Sequence, residues 1–169
     1  MIDYLASILS YDEFTGNLTW LPRDSSSRSG MIFNSKFAGK RAGSQSKSKY
    51  RRIGFILDGK RYLMLEHRVA WAIHTGAWPS DEIDHINHDT TDNRFCNLRE
   101  VCRNKNSKNL SFNSRNKSGF TGVFWHKGMK KWAATLGTRV IGFYSDVDEA
   151  ARSAKSARVA NGYHENHGL

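Results

Sequence analysis

An acid and a histidine stand side by side in "IDHINHDTTDNRFCNLREVCRNKNSKN", residues 83–109, and Asn97 and Asn106 follow at wider spacing. Asp84 and Asn106 each offer a side-chain oxygen. With water, two such oxygens suit one hard divalent ion, Mg²⁺ or Mn²⁺. Neighbours on a strand face opposite sides, so His85 points away from Asp84. His85 is then placed to take a proton from water while an ion polarises a phosphate. A base histidine needs its other ring nitrogen fixed, and the amide oxygen of Asn97 is a candidate for that. Metal assistance and an oriented base are what phosphodiester hydrolysis requires. His67 and His88 are expected to be structural histidines instead.

To bring these residues together the segment must fold as strand, loop, strand and helix. Residues 83–86 have room for a strand, 87–96 form a polar loop, "NLREV" a second strand, and "CRNKNSKN" a helix without an evident cap. Upstream, "YLASILSY" reads as a short helix and "GNLTWLP" as a strand after a turn. "RDSSSRSG" reads as a loop. "AGKRAGSQSKSKYRR" is basic and low in complexity, so it is expected to be disordered or to lie along a phosphate backbone, with Arg51 and Arg52 as DNA contacts. "YRRIGFILDGKRYLML" alternates apolar and polar residues around Asp58-Gly59, a hairpin signal. "LEHRVAWAIHTG" places Leu65, Val69, Ala72 and Ile73 on one helical face, with Gly76 as its stop.

The 169 residues carry 26 Lys and Arg against 16 Asp and Glu, a net charge of +10 that favours a polyanionic partner. The charge is uneven. Residues 1–79 balance at +6, 80–110 at −1 and 111–169 at +5. Carboxylates at the centre of a polyanion-binding chain gain nothing electrostatically unless they bind a cation. No run of 18 apolar residues occurs, so no membrane span is expected, and the N-terminus is too short and acidic for a signal peptide. Cys96 and Cys102 are expected to be reduced thiols, since two cysteines without C-x-x-C spacing make neither a disulfide framework nor a zinc site. A cytoplasmic location follows as an expectation.

The stretch "DHINHDTTDNRFCNLREVCRNKNSKN" resembles the HNH endonuclease motif in its bacteriophage homing-endonuclease form, and the preceding "GKRYLMLEHRVAWAIHTGAWP" looks like the lead-in of such enzymes. The resemblance covers about residues 50–110. It implies a ββα-metal fold and cleavage of DNA phosphodiesters with one divalent ion. It makes Asp84 and Asn106 metal ligands, His85 the general base and Asn97 the residue that orients it. Where many members have His at the last position, this chain has Asn106, and the zinc-binding cysteine pairs of some members are absent. Phage origin would place the protein in the host cytoplasm.

Residues 120–163 carry "FTGV", "KKWAATL" and "IGFYSDVDEAARSAKSARVANG". They resemble the DNA-binding domain of plant ethylene-response factors, the APETALA type, which implies a three-stranded sheet laid in the major groove with a helix behind it. Turns are expected at "HKGMKK" and "GTR", a capping box at Ser145-x-x-Asp148 and a stop at Asn161-Gly162. The sheet lacks the arginines by which plant members read DNA, having Thr121, Phe124, Thr135, Leu136 and Gly137 there instead. Candidate contacts are Trp125, His126, Lys127, Lys130, Lys131 and Arg139. In the linker, Arg115 and Lys117 are candidates for a strap along the DNA.

These readings combine into an α+β chain. Residues 1–110 form an HNH nuclease unit with an N-terminal hairpin and helix, 111–119 a linker, and 120–169 a small three-stranded antiparallel sheet with a helix. The expected activity is metal-dependent cleavage of double-stranded DNA by a monomer or weak dimer, with no protein partner. The alternatives are a non-enzymatic DNA-binding regulator with an inert centre, and a nuclease acting on RNA. Duplex RNA hides its major groove, which disfavours the latter.

Overall fold

The computed structural model describes residues 1–45, 49–102, 112–113, 115–165 and 167–168. The chain divides into two compact units, 1–101 and 102–169. Most of the expected helix after residue 102, Asn106 included, and residues 111 and 114 of the expected linker lie outside the described residues.

The first unit is mixed α and β. Helix α1 (Ile2–Ile8) runs directly into β1 (Leu9–Asp12), which pairs antiparallel with β2 (Asn17–Trp20). The "RDSSSRSG" stretch is only partly a loop. Helix α2 (Arg28–Phe37) starts inside it, because the Ser27 hydroxyl accepts from the Gly30 amide at 3.1 Å. A serine run that reads as loop therefore holds a helix cap.

The basic stretch after α2 is likewise built into the fold over its described part. Arg41 bridges to Thr19, and β3 (Ser44–Gln45) pairs with β4 (Arg51–Leu57). Strand β4 turns through Asp58 and Gly59, at φ 50° and 72°, into β5 (Lys60–Leu65). Two successive left-handed residues match the twist of the flanking strands, which is why Asp-Gly serves here. Helix α3 (Glu66–Thr75) follows at once and ends on Gly76 at φ 73°. Strands β6 (Glu82–His85) and β7 (Leu98–Val101) form an antiparallel hairpin, with a single 3₁₀ turn (Phe95–Asn97) leading into β7. Leu5, Leu9, Leu18, Ile53, Phe55, Val69, Ile83 and Leu98 join α1, β1, β2, β4, α3, β6 and β7 in one core.

In the second unit, β8 (Val123–His126), β9 (Lys131–Leu136) and β10 (Arg139–Tyr144) form a sheet of order β10-β9-β8. Helix α4 (Val147–Ala160) packs on it through Ala150 and Ala154, both fully buried with Val123 and Ala134. Alanines keep the helix close to the sheet. The cap of α4 is Asp146, whose carboxylate accepts from the Glu149 amide at 2.9 Å, not the expected Ser145. A carboxylate one residue further along caps the Glu149 amide in place of the Asp148 amide and also favours the positive end of the dipole. Asn161 ends the helix as expected. No described helix is long and apolar enough to cross a membrane.

Candidate nuclease centre

Strand β6 sets the two adjacent functional groups on opposite faces. His85 and Ile83 are turned inward, and Asp84 and Glu82 outward. His85 is only 4 % exposed. Its ring lies edge-on to that of His67 on α3, with centroids 5.0 Å apart, and Tyr50 closes the group at 5.2 Å from His67 and 6.1 Å from His85.

His67 has the structural place expected of it. Burial, with His85 and Arg68 nearby, pushes its imidazole from an ordinary 6.5 down to about 3. It is therefore neutral beside His85 throughout the neutral range. The unfolded chain takes up this proton near pH 6.5 and the folded chain does not until about pH 3. The contribution of neutral His67 to stability is thus complete above pH 6.5 and is lost as pH falls toward 3, at about 1.4 kcal/mol per pH unit for one proton. Urea unfolding of the full chain at about pH 7 and about pH 5 should show this loss, and His67→Leu should flatten it. An unchanged pH slope in His67→Leu would show that other groups cause the loss.

The ring nitrogen Nε2 of His85 meets Oδ1 of Asn93 at 3.0 Å. Asn93 is itself 1 % exposed. Asn97, expected to orient the histidine, has its side chain engaged elsewhere. Its Oδ1 accepts from the Asn87 amide at 3.0 Å, and its Nδ2 donates to Asn87 Oδ1 at 2.9 Å and to the Asp92 carbonyl at 2.8 Å. Asn97 thus ties the two ends of the loop between β6 and β7. Within that loop Asp89 accepts from Thr91, and Asp92 pairs with Arg94, which holds the Asp92 carboxyl at about 2, well below its ordinary value. His88, at φ 65°, is a turn residue.

Asp84 faces its register partner Arg99, whose Nε and Nη2 donate to Oδ2 at 3.0 and 2.8 Å. Oxygen is the donor that a hard divalent cation takes, and both Asp84 and Asn106 supply it, though only Asp84 is described. Among the described residues no three His, Cys, Asp or Glu side chains are grouped to hold a metal.

The expected DNA contacts separate by exposure. Arg51 is turned into the first unit. Its Nε donates to Glu66 Oε2 at 2.5 Å, and its Nη2 donates to the Ala42 and Gly43 carbonyls. Those bonds hold β4 to α3 and to the segment just before β3, so its guanidinium is occupied by the fold. Arg52 is half-buried. Arg115, Lys117, Lys127, Lys130, Lys131 and Arg139 are exposed. Trp125 is 46 % exposed and meets the half-buried Trp132 edge-on at 5.3 Å, while the half-buried His126 packs against Phe143. Cys96 and Cys102 are free and exposed.

Sequence reasoning missed Asn93, Tyr11 and Gly16. The Tyr11 hydroxyl donates to the Asn93 carbonyl at 2.7 Å, and a side chain on Gly16 would collide with the Asn93–Arg94 backbone. The first of these bonds joins residues 82 positions apart, and no local pattern signals it.

No curated protein matches the chain. A solved structure of the HNH homing endonuclease I-HmuI, concerned with its DNA binding and cleavage, is 26 % identical, covering 60 % of this chain and 50 % of that one, with a TM-score of 0.42. This chain therefore spans about half the length of that one. Residues 65–108 match the family model for HNH endonuclease, and this matching segment holds His67, Asp84, His85, Asn93 and Asn97.

Proposed function

We propose that the chain is a metal-dependent endonuclease that hydrolyses phosphodiester bonds of double-stranded DNA, with its chemistry in residues 1–110 and DNA targeting in residues 120–169. The observation that carries the reading is the HNH match over residues 65–108, within which a buried, hydrogen-bonded His85 stands next to Asp84 on β6. His85 takes the proton of the attacking water at Nδ1 while its Nε2–H stays on a side-chain oxygen. Asp84 and Asn106 would hold one Mg²⁺ or Mn²⁺, which when bound supplies charge stabilisation to the scissile phosphate and the leaving 3′-oxygen. Asn97 keeps the loop closed behind the base. The reading is tested by following free 3′-hydroxyl ends on duplex DNA, which should form with the divalent ion and stop on adding EDTA.

The Asp84–Arg99 pair favours a second reading, a DNA binder with a silent centre, because the guanidinium already neutralises the carboxylate that an ion would use. The same assay separates the two.

In the second unit, Lys127, Lys130, Lys131 and Arg139 on exposed turns and strand ends are proposed phosphate contacts, with Trp125 and His126 beside them and Arg115 and Lys117 preceding them. Arg52 is a further proposed contact from the first unit. Removal of residues 117–169 should leave a first unit with its own core that still cuts DNA at low salt. Its binding should weaken, and the slope of log affinity against log salt should fall by about 0.9 for each phosphate that is no longer neutralised. Unchanged affinity and slope in the shortened chain would remove DNA targeting from the second unit.

A further inference from the structure

The geometry points to Asn93 as the residue that fixes the tautomer and direction of the His85 imidazole, with the N-terminal β1–β2 hairpin holding Asn93 in place. The inference rests on the nuclease reading above and adds to it a positioning residue outside the Asp84, His85, Asn97 and Asn106 set.

Both partners of the bond are at least nine-tenths buried, at 4 % and 1 % exposed, and their atoms are 3.0 Å apart. With Oδ1 as the acceptor, Nε2 carries the proton, and Nδ1 then carries the lone pair that a base offers to water. A ring that rotated or exchanged tautomers would present N–H where a base is needed. Asn97 cannot hold the ring from where it lies, since its oxygen and nitrogen are used on Asn87 and Asp92.

The backbone of Asn93 is fixed from outside the loop. Tyr11 of β1 donates its hydroxyl to the Asn93 carbonyl at 2.7 Å. Gly16, at φ 72° in the β1–β2 turn, lies so close to Asn93 and Arg94 that no side chain fits. The Phe95 amide donates to the Glu13 carbonyl at 3.1 Å, and the Phe95 ring meets that of His74 with centroids 3.7 Å apart. Tyr11, Glu13 and Gly16 thus grip residues 93–95 together. A group that only filled space would need none of these polar contacts.

The test combines kinetics with a reading of the bond itself. Asn93→Leu removes the acceptor at similar volume and should lower kcat about tenfold or more, a share of the roughly 10²–10⁴-fold that a general base supplies, with KM for duplex DNA unchanged. Asn93→Asp keeps an acceptor oxygen and should recover most of the rate. Tyr11→Phe should lower kcat in the same direction by a smaller factor. Nitrogen-15 NMR of the full-length wild-type protein should show His85 protonated at Nε2, with a slowly exchanging Nε2–H that disappears in Asn93→Leu. If the wild type is protonated at Nδ1 instead, or if Asn93→Leu keeps both the signal and the rate, Asn93 does not position the ring. The NMR measurement needs no cleavage. A protein that shows the bond yet cuts nothing would overturn the nuclease reading, while one that cuts without the bond would overturn the inference.

Discussion

His85→Ala should lower the rate of DNA cleavage by about 10²–10⁴-fold and leave duplex affinity unchanged. Burial separates the two effects. The ring is 4 % exposed, packed between His67 and Tyr50 and hydrogen-bonded to Asn93, so it contributes little surface for a polyanion to touch. The work proposed for it is proton transfer in the transition state. An interaction made only there appears in kcat and not in binding. Single-turnover cleavage and gel-shift binding on the same duplex measure the two quantities. Equal losses in rate and affinity would mean that the histidine binds DNA or supports the fold, and that it is not the base. His67→Leu is a useful companion, since it removes the neighbouring ring without touching the proton acceptor.

Glu66→Ala should destabilise the first unit by about 3–5 kcal/mol, the largest stability effect expected in the chain. Glu66 opens α3 and is fully buried. Arg51 lies at 2.5 Å from one carboxylate oxygen and Arg41 at 3.6 Å from the other. Burial pushes the Glu66 carboxyl up, against the pull of both guanidiniums. Truncation would leave Arg51, itself mostly buried, without its counter-charge, and an unpaired buried charge is what makes such a loss large. Glu66→Gln keeps the shape and a hydrogen-bond acceptor and should cost less. Urea midpoints of the three proteins give the order. A loss below about 1 kcal/mol for Glu66→Ala would place the pair with weak, water-screened surface bridges. The effect also reaches the candidate centre, because the helix that begins at Glu66 carries His67 against His85.

Local signals in the sequence were sufficient where the chain makes its own decision. Asp58-Gly59 specifies a left-handed pair, and so the β4–β5 hairpin was legible. Gly76 ends α3, and the alternation around Asp84 and His85 separates an inward from an outward side chain. The second unit's three strands and alanine-rich helix were legible for the same reason. What escaped depends on distant partners. Ser27 looks like one serine of a loop until Gly30 donates to it. Arg51 looks like a free cation in a basic stretch, and only the fold brings Glu66 to it. Asn97 has the type and spacing to hold a histidine, but the turn it closes uses up its amide, and Asn93 reaches the ring. A buried asparagine inside a polar loop carries no periodicity that would mark it.

Supercoiled plasmid shows whether an ion-dependent hydrolytic centre lies on β6. The full-length protein is incubated with the plasmid in Mg²⁺, in Mn²⁺ and in EDTA, beside Asp84→Asn under the same conditions. Nicked circles should form with either ion, since one centre breaks one strand per visit, with linear DNA only at later times and intact supercoils in EDTA. Asp84→Asn should need more ion for the same rate. Plasmid left supercoiled at every ion concentration, with the protein bound to it, would rule out a hydrolytic centre on β6 and leave a DNA-binding protein whose Asp84 serves only Arg99.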